Sequence, residues 1–197
     1  PPDELAAGTE RTFELIDGVE IEMCWIPPGS FMMGAQENEQ DAEESEYPRH
    51  RVTINNGFWM GKYEVTQAQW EEVMGNNPAH FQGASRPVER VSWVDIQDFE
   101  MEVEYAFRLP SESEWEYACR AGHDETRFFW GDDPDYEGLS NYAWYNENSD
   151  NQTHNVGQKE PNPWGLYDMS GDVWEWCEDP MHENYNRAPI NGRVWQV

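Results

Sequence analysis

The hydrophobic pattern of this chain changes character twice. From Phe13 to Ile26 apolar and polar residues alternate around Asp17-Gly18, which predicts a β-hairpin whose tight turn takes positive φ angles. Val19, Ile21, Met23 and Trp25 form its buried face, and Glu20, Glu22 and Cys24 its mostly wet one. Pro27-Pro28-Gly29 ends that strand. Phe31 to Gly34 is a short apolar piece, and strand signals return at 51–54 and 58–65. The period then becomes helical. Thr66 and Gln69 make a capping box, and Trp70, Val73 and Met74 a buried stripe, before Gly75-Asn76-Asn77-Pro78 stops the helix. Ser92 and Asp95 open a second helix with Trp93, Ile96 and Phe99 inward. Ser111 and Glu114 open a third, with Trp115, Ala118 and Cys119 inward and Gly122 as its stop. These aromatic stripes read as core, not as cofactor boxes. From Phe128 onward periodicity fades for about seventy residues rich in Asn, Asp, Gly, Pro and Trp, a length uncommon in a compact domain unless the stretch does a job or is held by something, a bound ion being one such holder. Hairpins, then helices, then an irregular half make the fold class α+β, with no internal repeat and no low-complexity linker.

Within the irregular half the run Trp164 to Trp176 stands out. It holds three tryptophans, two aspartates, one glutamate and two glycines in thirteen residues. The glycines would weaken a helix or a strand, so the run predicts a coil. Asp168 and Glu175 offer hard oxygen donors, and the glycines let carbonyls turn inward, which is calcium chemistry. The same residues also describe a well-packed loop with no ion, and both readings stand at this point.

Composition narrows the partners. A chain of 197 residues buries a real core, and one domain is the default. Aromatics at 14% with a mean hydropathy of −0.94 describe a loop-rich globule with a polar skin. No apolar run is long enough to span a membrane, and Pro1-Pro2-Asp3-Glu4 is no signal peptide. The formal charge of −28 repels nucleic-acid phosphate and anionic lipid, so neither is expected as a partner. Six acids crowd the ten residues from Glu37 to Glu46. That run reads as a solvated loop of mutually repelling charges, with a cation- or partner-docking loop as the alternative.

The familiar catalytic signatures are missing: no phosphate-binding loop, dinucleotide fingerprint, nucleophile elbow or zinc-protease helix occurs. Cys24, Cys119 and Cys177 are widely spaced, leaving open one disulfide with a free thiol, or three buried thiols. His50, His80, His123, His154 and His182 are scattered singly and read as surface or supporting residues.

Several stretches, in order, resemble the formylglycine-generating enzyme (sulfatase-modifying factor) family. They are Ile26 to Gly34, Glu46 to Val52, Lys62 to Thr66, Pro87 to Trp93, Arg108 to Ala118, Phe129 to Asp132, Asn155 to Gly157, Pro161 to Met169 and Gly171 to Cys177. The resemblance implies one domain over 1–197 with an elaborated C-type-lectin-like fold, little regular structure and bound calcium. It implies a calcium site built from the side chains of Asp168 and Glu175 and the carbonyls of Gly171 and Val173. A second family site would begin at Asn141, with Asn148 near the place of its acidic partner. Trp174 matches a tryptophan bordering the family's active-site cleft.

The departures shape the functional expectation. The family's oxidase holds copper(I) on a cysteine pair in a segment that follows a Gly-Gly-Ser strand, and two thiolates suit that soft metal. This sequence ends at Gly192 to Val197, before the place of that segment, and none of its cysteines falls on the catalytic positions, so no catalytic residue is assigned. The passage Asp98 to Glu104 is shorter than the family's helix and turn. A longer natural protein is expected, because the fold without its closing strand has an unpaired edge. Tyr142 to Ser149, Thr153 to Gly157 and the Trp-Glu-Trp-Cys run resemble a subgroup that often lacks one catalytic cysteine and includes the variable proteins of diversity-generating retroelements. The reading is therefore a calcium-stabilised, non-catalytic domain that binds a protein or other surface ligand, without membrane insertion, in a soluble, secreted or cell-surface setting. The alternative is a copper-dependent oxidase converting a sulfatase cysteine to formylglycine.

Overall fold

The computed structural model describes residues 5–196, so the reading of Pro1 to Glu4 lies outside the described residues. The alternation in the first segment builds β1 (Glu10–Ile16) and β2 (Val19–Ile26), antiparallel across Asp17-Gly18 with Phe13 opposite Ile21. A second hairpin-like pair, β3 (Gly29–Met33) and β4 (His50–Ile54), sits in its own two-stranded sheet and encloses the acidic loop. That loop is mostly solvated. Glu39 is the acid that turns inward, its Oε2 accepting from the Gln36 N–H at 2.9 Å.

The strand expected over 58–65 is β5 (Phe58–Gly61), which pairs with β2 and leaves the sheet order β1-β2-β5. It stops at Lys62, which keeps one bond to β2 and gives the other to the irregular half. Its N–H donates to the Glu22 carbonyl at 2.9 Å, while its own carbonyl accepts from the Tyr167 N–H at 3.0 Å. The chain leaves the sheet there to meet the irregular half.

This sheet packs a buried cluster on each face. Leu15, Ile21 and Met23 pack against Trp70, Phe99 and Val103 on one side. Cys24 and Ile26 pack against Phe31, Val52, Tyr117 and Leu166 on the other. Cys24, expected on the wet face, is fully buried, because the β3–β4 pair and the 164–169 loop cover that end of the strand; Glu20 and Glu22, further along, stay exposed.

The helices start where the capping boxes place them. They are α1 (Gln67–Met74), α2 (Trp93–Glu102) and α3 (Glu112–Arg120), and the hydroxyls of Thr66, Ser92 and Ser111 each accept an N–H three residues on. Phe99 of α2 stacks on Trp70 of α1 at 5.1 Å and 9°. Helix α3 ends on Ala121 in the left-handed region, one residue before the expected Gly122. Its most buried side chains are Ala118 and Tyr117, the latter not expected; Trp115 and Cys119 pack half-buried against the same cluster.

Beyond Phe128 the regular structure is one short helix, α4 (Leu139–Tyr142), among the described residues. Single hydrogen bonds to the regular half hold the rest: Val156 N–H to Ser85, Glu178 N–H to Pro110 and Thr53 N–H to Ile190. The main rivet is Asn162, which is 4% exposed. Its amide donates to the carbonyls of Ala118 at 2.8 Å and Cys119 at 3.2 Å, near the end of α3. Its oxygen accepts the N–H groups of Trp164 at 2.9 Å and Leu166 at 3.2 Å. Asn162→Ala leaves these buried groups unpaired, and urea unfolding is expected to show a loss of about 3 kcal/mol; a change within error would remove this residue's role.

Candidate functional site

The 164–176 run is a coil that folds over the place where β5 leaves the sheet. Asp168 takes a left-handed φ of 59°, and its carbonyl accepts from the Gly171 N–H at 3.0 Å, closing a turn. Gly171 sits at φ 148°, where a Cβ would lie 2.6 Å from the Trp144 carbonyl oxygen. Neither the angle nor the space tolerates a side chain.

This turn carries Asp168 and Glu175 inward. Asp168 is 3% exposed; its Oδ2 accepts from the Gly157 N–H at 2.7 Å, and its Oδ1 is buried without a partner. Glu175 Oε2 accepts from the Trp115 indole at 3.1 Å. A third carboxylate joins them. Glu64, three residues past the end of β5, is buried with neither oxygen hydrogen-bonded. Burial and the charges of Glu175 and Asp168 push its carboxyl well above the usual range. Burial likewise pushes Glu175 up to about 7 and Asp168 up to about 6. Asp172, at the margin, is raised by burial too, but both its oxygens accept from the His154 N–H.

Three acids kept from water, with three orphaned oxygens among them, demand compensation, since isolated buried carboxylates cost several kcal/mol. Protons supply it at low pH, and a hard divalent cation supplies it with oxygen ligands. The donor chemistry fits calcium. Of the four expected ligands, Asp168 and Glu175 lie close enough for the charge of Asp168 to act on Glu175. The Gly171 carbonyl faces Trp144, whose N–H it accepts at 3.2 Å, keeping its second lone pair. The Val173 carbonyl accepts no hydrogen bond among the described residues. No group of three His, Cys, Asp or Glu side chains arranged to hold a metal occurs among the described residues. Glu64, Asp168 and Glu175 therefore do not form a ready three-carboxylate cage, and the expected set asks for only two such side chains, with two carbonyls.

Glu64 was not singled out from the sequence as a ligand. Its signal was there: one acid ends a strand-like run of apolar and aromatic residues, where a solvated side chain has no place.

At the expected second site, Asn148 spends its amide on its own turn, accepting from Tyr145 N–H at 2.7 Å and donating to Ala143 at 3.0 Å. The Asn141 carbonyl accepts from the Glu160 N–H at 2.9 Å. The Lys159 ammonium donates to the adjacent Ser140 carbonyl at 2.6 Å and lies 3.8 Å over the Trp144 ring, so a fixed positive charge already occupies this corner.

The three cysteines are free and unpaired with one another. Cys24 Sγ donates to the Gly165 carbonyl and Cys119 Sγ to the Met169 carbonyl. Burial pushes the Cys24 thiol up to about 11 and those of Cys119 and Cys177 up to about 12. Protonated, separated thiols do not fit copper(I).

Above the carboxylates lies a cavity of about 500 Å³ lined mainly by apolar and aromatic side chains, with Glu64 and Glu175 in its wall. Trp174, placed at a cleft by its resemblance, stands fully exposed on the rim beside the half-exposed Trp176, whose indole donates to the Val91 carbonyl at 3.1 Å.

Comparison with known proteins gives the class. The sulfatase-modifying factor enzyme 1-like domain matches residues 14–196, and the chain belongs to that family. It is 34% identical over 205 residues to the chaperone protein LppX of Paenibacillus barcinonensis, covering 78% of this chain and 71% of that one. It is 29% identical over 244 residues to the formylglycine-generating enzyme of Mus musculus, covering 87% of this chain and 63% of that one. Among solved structures, PvdO from Pseudomonas aeruginosa superposes with a TM-score of 0.80 at 29% identity, covering 98% of this chain and 82% of that one. The Treponema denticola variable protein 1 does so with 0.72 at 29%, covering 87% and 77%. The α+β, C-type-lectin-like fold follows from these neighbours.

The raised carboxyl pKa values fix a sign. The folded state holds protons on Glu175 and Asp168 at pH values where the unfolded chain has lost them, so that stabilisation is present at low pH and lost as pH rises through about 6 to 7. In chelator the melting temperature is expected to fall between pH 4.5 and 8, and Glu175→Gln is expected to flatten that fall. A wild-type curve flat across this range would contradict the reading.

Proposed function

We propose that this domain is a calcium-stabilised scaffold that binds a ligand or protein at its aromatic rim and carries out no chemistry itself. The observation that carries the reading is the cluster of Glu64, Asp168 and Glu175, in which the orphaned buried oxygens of Glu64 and Asp168 suit a nearby divalent ion, on the same run that exposes Trp174. Asp168 and Glu175 would hold calcium by their carboxylates, and Gly171 and Val173 by their carbonyls, with the charge of Glu64 close by. The ion would supply charge neutralisation and a fixed geometry. The protein's own part is to hold a stiff platform, which lowers the ordering cost of binding.

The relatives support a binding role by their variety. One is a chaperone protein and another a variable protein, while a third is a formylglycine-generating enzyme. The resemblance to the variable proteins of diversity-generating retroelements points the same way. The alternative, a copper-dependent oxidase that turns a sulfatase cysteine into formylglycine, is favoured by the likeness to the mouse enzyme. It needs a thiolate pair that Cys24, Cys119 and Cys177 do not supply.

Calcium at about a hundred times its dissociation constant would stabilise the fold by about 2.7 kcal/mol. For a domain of this size that raises the melting temperature by about 5–10 °C. Asp168→Asn is expected to abolish that rise while leaving the chelated protein as stable as wild type or more so, because it removes a buried charge and keeps the acceptor for the Gly157 N–H. Equal melting of the wild type in calcium and in chelator would refute the site. Incubation with copper(I), oxygen and a cysteine-containing sulfatase peptide is expected to give no formylglycine and no oxygen uptake; formation of the aldehyde would establish the alternative.

A further inference from the structure

The corner expected to hold a second ion carries a positive charge of its own. Helix α4 is a single turn, and its first three carbonyls each have a donor. The Ala143 N–H donates to Leu139 at 2.9 Å, the Lys159 ammonium to Ser140 at 2.6 Å and the Glu160 N–H to Asn141 at 2.9 Å. Carbonyls at the end of a helical turn need such partners and favour a cation among them. The consecutive residues Lys159 and Glu160 thus clamp the consecutive residues Ser140 and Asn141.

The same ammonium has a second partner. It lies 3.8 Å over the Trp144 ring, and the His154 imidazole stacks on that ring at 3.7 Å and 13°. Two groups so near one ring centre occupy opposite faces, so the indole is sandwiched between Lys159 and His154. Its Nε1–H is buried without a partner, so the ring is held by its faces and not by its edge. A cation is drawn to the electron-rich face of an indole, and more strongly where water is kept away.

This sandwich grips the turn that follows Asp168. The Trp144 N–H donates to the Gly171 carbonyl at 3.2 Å, and the His154 N–H to both Asp172 oxygens at 3.1 Å. The charge of Lys159 reaches Asp168 too, where it works against the upward push of burial.

The donor set here does not suit a divalent ion. Asn148, near the place of the expected acidic partner, is a neutral amide whose oxygen already accepts from the Tyr145 N–H at 2.7 Å. A doubly charged ion beside the ammonium would be repelled at close quarters. An ammonium brings one charge and three donors, which a carbonyl and a π face can satisfy.

We propose that Lys159 takes the part of the second ion: a built-in cation that ties the end of α4 to the Trp144–His154 stack and so positions the Gly171 turn. Lys159 is a positioning residue, and the chain needs no metal in this corner.

The chain has two lysines, Lys62 and Lys159, so labelling with lysine carrying carbon-13 at Cε gives two signals in a proton–carbon NMR spectrum. One is expected upfield, under the ring current of Trp144. It should vanish in Lys159→Arg, return to an ordinary position in Trp144→Leu, and stay in place as calcium is added to the wild type. In chelator, Lys159→Gln keeps a donor for Ser140 and loses the charge; it is expected to melt about 3–6 °C lower and to exchange the Trp144 and His154 amides about tenfold faster. Lys159→Arg, which keeps the charge, is expected to match the wild type in both. Two lysine signals at ordinary positions would overturn the proposal. So would wild-type melting and exchange in Lys159→Gln, equal losses in the Gln and Arg variants, or a second bound calcium that displaces the upfield signal. The lysine readout is made without calcium, so this inference and the calcium-held scaffold fail separately.

Discussion

Three carboxylates that have been taken out of water govern this molecule. Glu64, Asp168 and Glu175 sit where the sheet, α3 and the irregular half converge, and three of their oxygens have no donor among the described residues. A domain's whole stability is about 5–15 kcal/mol. Several kcal/mol for each uncompensated buried charge would consume it. Some positive partner must therefore arrive with folding. Protons serve increasingly toward the acid side, since burial pushes Glu175 up to about 7 and Asp168 up to about 6 and holds Glu64 well above the usual carboxylate range. The proposed calcium ion serves at neutral pH, and its oxygen preference matches a site with no thiolate and no imidazole donor.

The rest of the architecture is consistent with a shell built to bring those acids together. Lys62 diverts the chain out of β5 and passes its backbone bond to Tyr167, which places Glu64 and Asp168 on neighbouring strands of coil. Asn162 ties the start of the same coil to the end of α3, which also supplies the Trp115 indole to Glu175. Gly171 lets the turn lie against the Trp144 backbone at a separation no side chain would permit. The exposed Trp174 is carried on this braced turn. A binding surface on a rigid turn differs from one on a mobile loop, because less freedom is lost when a partner arrives.

The sequence revealed most where local physics decides. Capping boxes at Thr66, Ser92 and Ser111 fixed three helix starts, and alternation around Asp17-Gly18 fixed the first hairpin. It was least legible where distant segments decide. Cys24 was read as wet because its neighbours Glu20 and Glu22 are, yet the 164–169 loop, more than a hundred residues away, covers it. Gln67 is polar and fully buried for a similar reason: its side chain organises the 77–87 loop through Phe81, Gly83 and Pro87. Asp168 and Glu175 could be named from the donor chemistry of one run. Glu64 lies a hundred residues earlier, and only folding brings it within reach of their charges.

An anomalous diffraction experiment on crystals grown with calcium tests the central claim most directly. The account predicts one strong peak between Asp168 and Glu175, with oxygen ligands at about 2.3–2.6 Å that include the Gly171 and Val173 carbonyls. A map with no density there, and the carboxyl groups sharing protons or turned apart, would contradict it.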